Sequence, residues 1–277
     1  MLKKAFPLFL LFSLVVWGKI NLAVSIAPEA FIVEKIASNL ADITTIVKAG
    51  SSPHTYEPKP SEMRALSKAK LYFAIGVEFE KSWLKRFKDL NPNLQIVHVD
   101  KNITKYPISN DEKKGHLDPH IWLDPINLKI IAKNISEALI AVDKDNKAIY
   151  EKNLKKFLNE MDSLDNYIKT TLSPITIRKF LVFHPSWGYY ARRYNLEQIA
   201  IEIAGKKPKP KELIAIIKTA KKNNIKVIIA QPEFSTKSAT IIANEIGGKV
   251  IKVSPMQKNI VANLKKITDT IAQANRE

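Results

Sequence analysis

The chain has 277 residues, 45% of them apolar and 26% charged, which excludes a disordered polymer and suits one large domain or two of ordinary size. It contains no cysteine, so disulfides, thiolate metal sites, cysteine nucleophiles and iron–sulfur clusters are all excluded. A formal charge of +17 invites a nucleic-acid partner, but the lysines are spread along the chain, and the densest run, KKPKPK at 206–211, reads as a solvated loop between elements; no nucleic-acid binding is expected.

Residues 1–4 carry two lysines, and an apolar run of 13 residues follows at 5–17 (AFPLFLLFSLVVW). A basic start with so short a core predicts a secretory signal over 1–19. It falls short of the roughly 20 residues needed to span a bilayer. The remainder is expected to be soluble and, lacking cysteine, free of a lipid anchor.

From there, short β-branched runs at 20–26, 43–48, 71–75 and 95–99 predict strands, with helices at 29–40, 60–68 and 80–90 between them. The second half repeats the rhythm, with strands at 179–184, 198–203, 226–231 and 249–253 and helices at 211–223 and 238–245. Such alternation implies βαβ units and mostly parallel sheets. Two helices separate the halves. In 126–142, Leu128, Ile131, Ile135, Leu139 and Val142 form one apolar face. In 145–172, a stripe from Tyr150 through Leu154, Phe157, Met161, Leu164 and Ile168 to Leu172 faces a polar opposite side. At 1.5 Å per residue this helix reaches about 42 Å, more than one small domain needs, and reads as a rigid strut between two lobes. The predicted units are 20–142, 143–173 (the backbone helix) and 174–277.

Five histidines are the candidate chemistry. His54 lies in GSSPHTYEPKP (50–60), a loop after a strand, where open α/β sheets line their ligand clefts. His120 is framed by two Asp-Pro turns in LDPHIWLDP, with Asp118 or Asp124 available to its second ring nitrogen. His184 ends an apolar strand that Pro185 stops. Taken singly, the three also fit a bystander, a solvated turn and a packed core residue. His98 reads as structural within its strand, and His116 follows the polar loop 110–115 as at most a weak scavenger. The three candidates are 66 and 64 residues apart, and no short zinc motif appears, so only the fold could unite them.

At these segments the chain resembles the substrate-binding proteins of zinc and manganese ABC importers, especially the zinc-uptake branch. The resemblance runs from about 21 to 274 and is carried by VSIAPEAFIVEKIA, GSSPHTYEPKPSEMRALSKAKLYFAIGVEFEKSWL, DPHIWLDP, HPSWGYYARRYNLEQIAIEIAGKKPKPKEL and KVIIAQPEFSTKSATIIANEIGGKV. It implies two (βα)4-like α/β lobes joined by a long rigid helix, with metal in the cleft between them. Residue by residue, the metal ligands fall on His54, His120 and His184. The manganese branch carries a carboxylate where His184 stands, so imidazole there favours Zn²⁺ as the transported ligand over Mn²⁺. Where the family often has an aspartate this chain has Ser254, leaving water, or less readily Glu233, as fourth ligand. The resemblance implies a periplasmic monomer that is not an enzyme and hands its ion to an importer permease. The alternatives are a manganese or iron carrier and, from another class, a zinc hydrolase or hydratase, for which no catalytic motif is present.

Overall fold

A computed structural model describes residues 18–48, 50–53, 55–108, 116–202, 206–232 and 237–274. The expected signal segment falls almost wholly outside them. The first lobe is a parallel sheet of β1 (Ile20–Val24), β2 (Ala41–Thr45), β3 (Leu71–Ala74) and β4 (Gln95–His98), in the order β2-β1-β3-β4. The second lobe repeats that order with β5 (Lys179–Val182), β6 (Glu197–Ala200), β7 (Val227–Ala230) and β8 (Lys249–Lys252), as β6-β5-β7-β8. Central strands such as β3 (LYFA) and β7 (VIIA) are buried throughout, whereas the edge strands β4 and β8 are half-exposed. This is the expected gradient for a parallel sheet covered on both faces.

Helices α1 (Ala27–Ala37), α2 (Pro60–Leu66) and α3 (Glu78–Leu90) serve the first sheet. Helices α4 (Pro125–Val142) and α5 (Lys147–Leu172) follow. Pro125 opens α4 in the position where its missing N–H costs nothing, and the Asp124 carboxylate accepts from Ile126 N–H at 2.8 Å. The second sheet carries α6 (Gly188–Arg193), α7 (Pro210–Lys222), α8 (Lys237–Ile246) and α9 (Ile260–Ala274). Two of these were not anticipated. The six residues of α6 are too few to show a period, whereas α9 does carry helical spacing at Ile260, Leu264, Ile267 and Ile271. β2 begins two residues before its predicted start.

α5 is 26 residues long, about 39 Å. It packs against α1 and α4 of the first lobe and α9 of the second. Its predicted stripe is buried at Tyr150, Phe157, Met161, Leu164, Ile168 and Leu172, and Leu154 is half-buried. One apolar cluster runs from Leu22, Val24 and Phe73 through this stripe to Phe180, Val182 and Ile229. A second cluster, including Leu181, Ile228 and Ala230 with Ile242 and Ile246, occupies the outer face of the second sheet. Among the described residues no helix is long and apolar enough to cross a membrane.

Candidate metal centre

His120 and His184 each enter from a backbone that the sequence constrains. The His120 loop is folded by Asp118, whose Oδ1 accepts both His120 N–H at 2.9 Å and the ring Nδ1 at 2.7 Å. Asp118 is in turn held by its own backbone. Its N–H donates to the Tyr106 carbonyl at 2.7 Å, and its carbonyl accepts the Tyr189 hydroxyl at 3.0 Å. Of the two aspartates offered by the sequence, Asp118 therefore orients His120. Asp124 instead caps α4 and takes Arg193 of the second lobe through Nε at 3.0 Å and Nη2 at 2.8 Å. Gly188 leaves room for this arrangement, since a Cβ there would lie 2.6 Å from Asp118 Oδ2.

His184 stands two residues beyond β5, where the strands of the second lobe end. Its Nδ1 meets Glu202 Oε1, just past β6, at 2.6 Å. Gln231, just past β7, accepts His184 N–H at 3.2 Å and donates through Nε2 to the His184 carbonyl at 3.2 Å and Ser186 Oγ at 2.6 Å. The carboxyl ends of three adjacent strands thus hold one ring.

His120 and His184 are brought together. Both are buried, and their ring centroids are 5.5 Å apart at an interplanar angle of 70°. With each Nδ1–H donating to a carboxylate, the lone pair of each ring resides on Nε2, the usual tautomer of a metal-binding imidazole. Two such rings bound at about 2.1 Å in tetrahedral array would have centroids about 5 Å apart. The observed spacing fits that geometry. The buried carboxylates of Asp118 and Glu202 place two negative charges behind two neutral rings, an arrangement that favours a divalent cation between them.

His54 lies outside the described residues, as does Glu233. The residue before it, Pro53, is buried and accepts Phe79 N–H at 3.3 Å, which ties that loop to the start of α3. Among the described residues no three His, Asp or Glu side chains form a complete metal cluster. His98 is not packed as its strand position suggested, because its side chain is 62% exposed at the end of an edge strand, 3.8 Å from Asp100. His116 is exposed beside the undescribed loop. Ser254 Oγ accepts Met256 N–H at 3.1 Å, a turn contact. Sequence reasoning did not single out Glu202; its signal was a lone carboxylate in the apolar run of AIEIAG.

The cleft is held from both sides. Trp122 Nε1 of the first lobe donates to the Pro255 carbonyl of the second at 2.8 Å, and Arg192 stacks 4.0 Å over the Tyr106 ring.

Comparison with known proteins agrees with this architecture. A family model described as "ZnuA: Zinc-uptake complex component A periplasmic" matches residues 22–274. A solved structure described as "Crystal structure of ZnuA" is 41% identical, covers 93% of this chain and 100% of that one, and superposes with a TM-score of 0.89. The high-affinity zinc uptake system protein ZnuA of Bacillus subtilis is 29% identical over 245 residues, 83% of this chain and 76% of that protein. The manganese ABC transporter substrate-binding lipoprotein PsaA of Streptococcus anginosus is 27% identical over 259 residues, 90% of this chain and 80% of that protein. Proteins of this type are extracytoplasmic carriers, not enzymes, and work with permease and ATPase components. The chain belongs to the ZnuA family and is a metal-binding substrate-binding protein of an ABC importer.

Proposed function

We propose that this protein captures Zn²⁺ in the periplasm with His54, His120 and His184 and delivers it to an importer permease. The ion sits between a lobe of residues 20–142 and a lobe of residues 174–277, joined by the helix within 143–173. The observation that carries this reading is the pair of buried imidazoles, 5.5 Å apart, each oriented by its own carboxylate. Nitrogen donors favour zinc over manganese, which prefers carboxylate and water oxygens. The ZnuA likeness supports zinc, and the PsaA likeness supplies the manganese alternative. Water completes the coordination. The basic and apolar segment 1–19 would direct the chain out of the cytoplasm.

The test is calorimetric titration of metal-free protein and of His54→Ala, His120→Ala and His184→Ala, with Mn²⁺ as competitor. Each variant is expected to lose at least about a hundredfold in zinc affinity while keeping its fold. Unchanged zinc capture by any of the three removes that residue from the site. Tighter binding of Mn²⁺ than Zn²⁺ transfers the function to the manganese branch.

A further inference from the structure

The positive charge of this protein is not shared between its lobes. Residues 20–142 contain 16 Lys and Arg against 14 Asp and Glu, and residues 143–173 contain six of each. Residues 174–277 contain 19 Lys and Arg against seven Asp and Glu, a net of +12 out of the +17 total. The lysines are evenly spread, but the acids are not.

Within the second lobe the charge is densest in 206–222 (KKPKPKELIAIIKTAKK), the approach to α7 and α7 itself. All seven lysines of this stretch are exposed. Among the described residues, only Lys221 has a carboxylate within ion-pair distance, Glu245 at 3.5 Å. The one acid of the stretch, Glu212, is turned back to cap α7, accepting Lys209 N–H at 2.6 Å. α7 lies on the outer face of the second sheet, resting Leu213, Ile216 and Ile217 on the outer apolar cluster. Ile214 points away and is 54% exposed, and Ile241 on the neighbouring α8 is 49% exposed.

We propose that this face docks the protein on anionic phospholipid. A basic helix that also presents large apolar side chains matches the chemistry of a bilayer interface, where headgroup charge attracts lysine and the acyl boundary accepts isoleucine. The composition argues against a protein partner. Protein interfaces favour arginine and aromatic residues and are depleted in lysine, whereas 206–222 holds seven lysines, no arginine and no aromatic residue. The placement suits a carrier. Lys206 follows by four residues the Glu202 carboxylate that orients His184, so the basic segment begins close along the chain to the cleft residues of the second lobe. Docking there would hold the cleft close to the membrane where the permease resides.

Vesicle binding is measured without metal, so this inference stands or falls apart from the zinc assignment. Purified metal-free protein is sedimented with vesicles of phosphatidylcholine alone or with about one-third phosphatidylglycerol. Binding is expected only to the anionic vesicles, and to weaken steeply with salt. Joint replacement Lys206→Gln, Lys207→Gln, Lys209→Gln and Lys211→Gln is expected to weaken binding at least about tenfold. An equal loss of charge on the strut, through Lys147→Gln, Lys152→Gln, Lys155→Gln and Lys156→Gln, is expected to leave most of it. Ile214→Ser should weaken binding without changing its salt dependence. Equal losses in the two quadruple variants would reduce the effect to net charge and overturn the docking face. Absence of binding to anionic vesicles, with the first quadruple variant impaired in binding detergent-solubilised permease, would reassign the face to an acidic protein surface.

Discussion

At the scale of single residues, the proposed site rests on two carboxylates that orient its imidazoles. Asp118 and Glu202 each take an imidazole Nδ1, and each is buried where a charge is costly without a partner. In the proposed site, a metal ion between the rings would offset both charges, which would link these two acids to metal capture. We expect Asp118→Asn and Glu202→Gln to lower zinc affinity about 10- to 100-fold, the usual cost of losing such an orienting partner. The circular dichroism of the metal-free variants should match that of the parent. Titration with a chromophoric chelator measures the loss, and parental affinity in Glu202→Gln would show that His184 needs no such support. Asp118 was legible in the sequence because it sits two residues from His120. Glu202 was not, because the strand pairing that brings it to His184 spans 18 residues.

At the scale of elements, the first turn of α3 shows how the first lobe is closed. Glu80 accepts the amides of Ile75 at 3.0 Å and Gly76 at 2.9 Å and also meets the Ser25 hydroxyl, so one carboxyl joins the ends of β1 and β3. Ser25 in turn donates its N–H to Glu29 at 2.8 Å and contacts the Tyr72 hydroxyl at 2.7 Å. Burial pushes Glu80 up from 4.5 to about 7, and raises Glu29 as well, with the neighbouring Glu80 adding to the effect. Between about 4.5 and 7 the folded chain therefore holds a proton at Glu80 that the unfolded chain has released. Stability contributed here is present below that window and is lost as the pH rises through it. Urea denaturation at pH 5 and pH 8 measures the difference. Glu80→Gln is expected to shrink it, and an undiminished difference would place the dependence elsewhere. The rhythm of strands and helices that frames this network could be read from the chain by period alone. The 3.6-residue stripe of α5 and the β-branched runs were legible because burial on one face imposes its spacing directly on the sequence. The short α6 was hidden, since six residues give no period to detect.

At the scale of the whole molecule, one apolar cluster passes from the first sheet through α5 into the second. The lobes are thus coupled by a shared core as well as by Trp122–Pro255 and Arg193–Asp124. This favours small tilts over a wide hinge on loading. Phe157 sits fully buried in the middle of α5, and Phe157→Ala should cost about 3–5 kcal/mol. Hydrogen exchange is expected to show both sheets losing protection together in that variant. Loss confined to one sheet would mean that the lobes unfold as separate units. The sequence by itself determined the alternation of strands and helices, the strut, and the turn that carries His120 and the strand end that carries His184, because period, proline and chain direction are local properties. Only the tertiary structure decided which carboxylate orients which ring, that His120 and His184 face each other, and that Ile214 stands exposed among the lysines of α7. Those outcomes depend on strand order and on which surfaces are left outside after packing, and neither is written in any short stretch of chain.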